Sequence, residues 1–194
     1  MNEKEMIFTK ATNTIQTRST HYFATPSEQT KATLFYRDMF GHFACDNRYR
    51  VERPAFDSYL LMYTLEGTGT IITPRGKSIC RKNDIALIDC NKEHKYYADD
   101  FWEFMWFHFN GNASHQIVDF ILARQGTVSH AAETWLSFQC FRDLTEKQLP
   151  GSLAGEITIS AHIHRILAEL AMYEPSGKNR SHRTEIANKA LQLI

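Results

Sequence analysis

Nine histidines (His21, His42, His94, His108, His115, His130, His162, His164 and His182) are the first residues to weigh for chemistry, because imidazole is the commonest metal ligand among side chains. A mononuclear metal in a small β-barrel takes two or three histidines and a carboxylate from adjacent strands. Here the strand-like segments carry only His94 and His108, and the stretch from Ser58 to Thr73, where a His-x-His pair would fall, has none. His162 and His164 are two apart in a helical stretch, so they point about 200° from each other and cannot chelate one ion. The sequence predicts no metal and no cofactor. Gly67-Thr68-Gly69 lacks the third glycine of a phosphate-binding loop and precedes a strand, which makes it a hairpin turn in this reading. There is no Gly-x-Ser-x-Gly, and no cysteine stands in an evident catalytic motif with histidine.

A different chemistry is offered by Phe101-Trp102-Glu103-Phe104-Met105-Trp106-Phe107-His108-Phe109, an implied strand that is apolar or aromatic on both faces and must be covered on both. One face (Trp102, Phe104, Trp106, His108) can line a barrel interior while the other (Phe101, Met105, Phe107, Phe109) packs under helices, or the reverse. Together with Arg53, His94, Tyr96 and Tyr97, the inward face offers stacking planes and hydrogen-bond donors. That mixture suits a small polyhydroxylated ligand, since sugar C–H faces stack on aromatic rings and hydroxyls need convergent polar partners. A barrel simply filled by its aromatic residues is the plainer alternative.

The elements that must position these residues follow from patterning. From Leu34 to Phe109, β-like runs (Ser58 to Leu65, Thr68 to Thr73, Lys77 to Arg81, Ile85 to Asp89, His94 to Ala98, Phe101 to Phe109) alternate with turn residues, which predicts an antiparallel sandwich or small barrel. Helical spacing then takes over: Ile117, Phe120, Ile121 and Arg124 behind a Ser114 cap and before Gly126; Leu136, Cys140 and Leu144 before Pro150-Gly151; and Ile159, Ile163, Ile166, Leu167, Leu170 and Tyr173 as one apolar stripe. Residues 1–33, with eight threonines, read as an extended arm. Residues 175–183 read as a polar linker. Thr184 can cap a last helix (Ile186, Ala190, Leu191, Ile194) that stops in mid-pattern, which predicts a further domain beyond it.

Composition narrows the class. The 194 residues hold 22 Lys+Arg against 22 Asp+Glu, with 43% hydrophobic residues, so a freestanding nucleic-acid binder is disfavoured. No run approaches about 18 apolar residues and the first twenty positions lack the core of a signal peptide, so the expectation is a soluble cytoplasmic protein with no membrane partner. Cys45, Cys80, Cys90 and Cys140 match no redox or zinc spacing and are expected as buried thiols.

Arg53-Pro54, Tyr59 through Thr70, Asn83 through Ile88, His94-Lys95-Tyr96 and Trp102 through Gly111 resemble the N-terminal sensing domain of AraC-type transcription regulators. The resemblance implies a mainly β fold with C-terminal helices: a cupin-like antiparallel β-barrel (residues 34–111) followed by a helical dimerisation region (residues 112–174). Residues 184–194 would then open a truncated helix-turn-helix domain, the only part to touch DNA. It implies no enzymatic activity and a small effector, a sugar, contacted by Arg53, Tyr96 and Trp106; Phe104 falls where the family has a pocket histidine, and His94 joins the site from the residue types weighed above. In that picture Arg53 donates charge-assisted hydrogen bonds, Trp106 and Phe104 stack and Tyr96 orients a hydroxyl. Ile159, Ile163, Ile166, Leu167 and Leu170 would join a homodimer. The competing class is a metal-dependent cupin enzyme acting on a small sugar or acid.

Overall fold

The computed structural model of the chain describes residues 18–131, 136–146 and 151–173. Among the described residues eight strands precede or interleave four helices: β1 (Thr20–Phe23), α1 (Glu28–Thr33), β2 (Tyr36–Asp46), β3 (Arg50–Arg53), β4 (Tyr59–Thr73), β5 (Gly76–Cys80), β6 (Asp84–Asp89), β7 (His94–Asn110), α2 (Ser114–Gln125), β8 (Val128–His130), α3 (Phe138–Glu146) and α4 (Leu153–Met172). The strands form one antiparallel sheet in the order β1-β2-β7-β4-β6-β8, with β3 added to β7 and β5 to β4. The expected β-barrel with C-terminal helices is the observed fold.

Two long strands hold it together. β7 carries β3 along its first residues (His94 to Tyr97) and β2 along its last (Phe101 to Asn110), while β4 runs beside it over most of its length. β4 in turn carries β6 on its first five residues and β5 on its last five. Each long strand thus changes partner midway, which lets a single sheet curl back on itself.

The sequence reading breaks both strands in the middle, and the structure does not. Gly67-Thr68-Gly69 is no hairpin turn: β4 continues through it with register shifts between Thr64 and Glu66 and between Gly67 and Gly69, the mark of β-bulges. Gly67 takes φ 75°, and a Cβ there would overlap the Phe101 carbonyl; a Cβ on Gly69 would overlap the Trp102 indole. These glycines therefore serve a bend and a close approach. The extra residue also reverses the alternation, so that Leu60 and Met62 face the interior before the bulge and Ile71 after it.

Two apolar cores lie back to back across the sheet. The interior one gathers Phe43, Tyr96, Trp102, Phe104 and Trp106, and the outer one sets Tyr59, Leu61, Met105, Phe107 and Phe109 against the helices. Of the two face assignments for β7, the structure adopts the one with Trp102, Phe104, Trp106 and His108 inward.

The helical layer departs from expectation in detail. Ser114 is buried as the first residue of α2, with Ala113 in the cap position and no side-chain cap bond, while Gly126 closes the helix as expected. Leu136 is 76% exposed and precedes α3, whose inward residues are Phe141, Leu144 and Thr145. The α4 stripe assigned to a dimer is spent inside the chain: Ile163, Ile166, Leu167 and Leu170 are at most 5% exposed, Ile159 is half-buried, and all five belong to the outer core. Three-residue β8 was not anticipated.

Part of the expected arm is built into the fold. β1 extends the sheet beyond β2, and α1 is capped by Ser27, whose Oγ accepts from Thr30 N at 3.2 Å. Glu156 of α4 then accepts from Ser27 N at 2.8 Å and Ser27 Oγ at 2.9 Å, and from Thr30 Oγ1. The rest of the arm, the linker at residues 175–183 and the final helix at residues 184–194 lie outside the described residues.

Gly69→Ala is expected to lower folding stability by about 1–3 kcal/mol, because the indole of Trp102 has no room to retreat; urea denaturation measures it.

Candidate ligand-binding site

The barrel interior receives one side chain in two from each wall. β7 supplies Tyr96, Phe104, Trp106 and His108, β4 supplies Leu60 and Met62, and β3 ends on Arg53. Phe43 of β2 and Tyr49, from the turn before β3, close the same space. Four sequence-derived site residues, Arg53, Tyr96, Phe104 and Trp106, therefore meet at one cavity. His94 stands just behind it: it is the register partner of Arg53, and its ring stacks on Tyr96 at 6.3 Å and 13°. Tyr97 points outward under the Arg50 guanidinium, 5.5 Å from its ring.

Aromatic rings nearly fill the space. Phe43 lies 4.9 Å from Trp106 and 6.0 Å from Phe104, Tyr49 lies 5.9 Å from Phe104, and Trp106 meets His108 edge-on at 5.9 Å. About 10 Å³ remains free among them, room for one water. Larger hollows lie outside the barrel: about 200 Å³ between Phe23, Arg37 and Glu156, and about 240 Å³ beside Arg75, Asp89 and Leu122.

The polar groups are few and distinctive. Arg53 Nη1 is buried and has no hydrogen-bond partner, while its guanidinium lies 5.2 Å from the Phe56 ring. The Tyr49 and Tyr96 rings lie 6.2 Å apart; burial raises the Tyr49 pKa well above its usual value and pushes Tyr96 up to about 12, so both stay protonated. The Ser58 hydroxyl lies 3.2 Å from Tyr59 O, 3.3 Å from Phe109 O and 3.1 Å from His108 Nδ1, with which it shares a hydrogen bond. His94 Nδ1 lies 2.8 Å from Lys92 O and so donates to it; Nε2 is buried without a partner. Burial, with Arg53 contributing, holds the His94 pKa below its ordinary 6.5.

Cys45, Cys80 and Cys90 are buried, and desolvation raises their thiols far above the ordinary range, so they are inert as nucleophiles. Cys140, expected to be buried as well, is half-exposed on α3. Among the described residues no group of three or more His, Cys, Asp or Glu is placed to hold a metal, and no helix among them is long and apolar enough to cross a membrane.

Phe43, Tyr49, Leu60 and Met62 were not singled out from the sequence. Leu60 and Met62 were discoverable from the alternation of β4. Tyr49 was not, because it sits in a polar turn, Asp46-Asn47-Arg48, with no period to read.

Residues 37–194 match the AraC-like ligand-binding domain. The chain belongs to that family. No curated protein matches it. Among solved structures it is similar to a cupin superfamily protein from Desulfitobacterium hafniense (14% identity, 47% of this chain and 76% of that one, TM-score 0.35). It is also similar to YhaK from Escherichia coli (8%, 49% and 45%, 0.42) and to a cupin-2 domain protein from Shewanella frigidimarina (13%, 58% and 94%, 0.34).

The buried neutral His94 sets a pH dependence. Below pH 6.5 the unfolded chain takes up a proton that the folded site resists, so stability falls with acidification. His94→Gln removes this contribution, and the stability gap between variant and parent in urea titrations is expected to narrow from about pH 7 to pH 5.

Proposed function

We propose that this chain is the effector-sensing part of a transcription regulator: it binds a small carbohydrate inside the barrel, carries out no catalysis, and controls DNA binding by a C-terminal helix-turn-helix domain. The observation that carries this reading is Arg53 Nη1, buried in an aromatic interior with no acceptor. A buried donor left unsatisfied costs about 1–3 kcal/mol, and a ligand oxygen recovers it. Trp106 and Phe104 supply stacking faces and Tyr96 a hydroxyl to orient the guest. With about 10 Å³ free, entry requires lining side chains to shift, so binding carries a rearrangement of the interior with it.

A homodimer belongs to the same reading, on a different surface from the one the stripe suggested. The outward face of α4 shows Ile157 at 51% and Met172 at 80% exposure, with exposed Ala161 and Ala168 between them and exposed Ala154 three residues before Ile157. These recur at steps of three, four and seven, the spacing of a helix–helix seam with close backbone approach.

Two outcomes check the proposal. In a thermal-shift panel of mono- and disaccharides, an effector at about 100 times its dissociation constant adds roughly 2.7 kcal/mol and raises the midpoint by several degrees, and Arg53→Ala abolishes the rise. By light scattering Ile157→Glu is a folded monomer, whereas Leu167→Glu loses its fold, because the charge enters the core.

A further inference from the structure

We infer that the effector is a sugar acid, a carbohydrate whose carboxylate sits on Arg53 while its ring lies against Trp106. The inference rests on the sensor reading and deepens it by naming the chemical class of the ligand.

The first argument is the balance of donors and acceptors around the cavity. Arg53 presents only N–H donors, and the Trp106 indole presents one donor and no acceptor. The Tyr49 and Tyr96 phenols stay protonated, so each brings a hydrogen of its own, and His108 Nδ1 is taken up by Ser58 Oγ at 3.1 Å. No Asp, Glu, Asn or Gln lines the cavity. Each hydroxyl of a neutral sugar brings a hydrogen that must find an acceptor when buried, and this wall has few. Exchanging a hydroxymethyl group for a carboxylate replaces a donor by two acceptor oxygens.

The second argument is charge. No carboxylate pairs with Arg53 among the described residues; its sequence neighbour Glu52 is engaged with Lys95 at 3.3 Å, and Asp89 with Lys92 at 2.8 Å. The guanidinium is thus a cation with one nitrogen sealed inside the barrel and no counter-charge. Its fork matches a carboxylate in two parallel hydrogen bonds, a geometry that a hydroxyl cannot use. Inorganic anions would satisfy the charge but leave the aromatic faces of Trp106 and Phe104 without a guest.

Isothermal titration of the 194-residue chain with D-galacturonate and D-glucuronate, beside D-galactose and D-glucose, tests this. At least one uronate is expected to bind about tenfold or more tightly than its neutral parent, the size of a charge-assisted hydrogen bond. Arg53→Gln is expected to erase the preference and Arg53→Lys to keep part of it, with melting of the free variants confirming that each is folded. Equal or tighter binding of the neutral sugars overturns the carboxylate assignment and leaves the sensor reading standing. Arg53-dependent binding of benzoate or decanoate with no response to uronates overturns the carbohydrate assignment. Silence from all these compounds overturns the inference as a whole, and silence across a wider metabolite panel as well removes the sensor reading.

Discussion

The structure depends on a strand with no polar face. From Trp102 to Phe109 every residue of β7 is buried, which is possible only because both of its edges are paired and both of its faces covered. Even-numbered residues turn into the barrel, Met105, Phe107 and Phe109 meet the helices, and Glu103 pairs with Arg18 and with His42 at 2.9 Å. Each large apolar side chain removed from water contributes about 1.5–3 kcal/mol, so this one segment is an anchor for the two halves of the molecule. β2, β3 and β4 are ordered around it.

A strand of that length cannot stay flat and close a barrel, and the device that bends the sheet lies on its neighbour. The bulged Gly67-Thr68-Gly69 of β4 sits opposite Trp102, whose indole lies over Gly69 and donates to Thr64 Oγ1 at 3.1 Å. Removing a Cβ at one position and placing an indole at the other are two parts of one steric arrangement. Thr70 adds a further tie across the bend, its Oγ1 donating to Asp99 at 2.8 Å.

What the sequence revealed follows the range of the forces involved. The runs of branched and aromatic residues in Ile85 to Asp89 and Phe101 to Phe109 are local signals, so those strands were legible, as was the apolar stripe of α4. Its cover was not, because the residues that bury Ile163 and Leu167 come from α2, α3 and the barrel. Gly67-Thr68-Gly69 and Asp99-Asp100 carry the residue types of turns, and only the opposing Trp102 and Thr70 show that the chain runs straight on. β1 and α1 gave little signal: β1 is only four residues long, α1 is polar and exposed except at Thr30, and the acceptor that secures α1, Glu156, is 129 residues from Ser27. At the site, Arg53, Tyr96, Phe104 and Trp106 were readable as types suited to binding. Tyr49 and the near-complete filling of the interior depend on how side chains from four strands meet.

The same strand has a thermodynamic consequence. The barrel core and the helical core look like separate compartments, yet they own alternate residues of one backbone, so β7 cannot be withdrawn from one without being withdrawn from the other. Neither can melt as an independent foldon. The two layers form a single cooperative unit, and the stability of the helices is set in part by whatever occupies the space around Trp106.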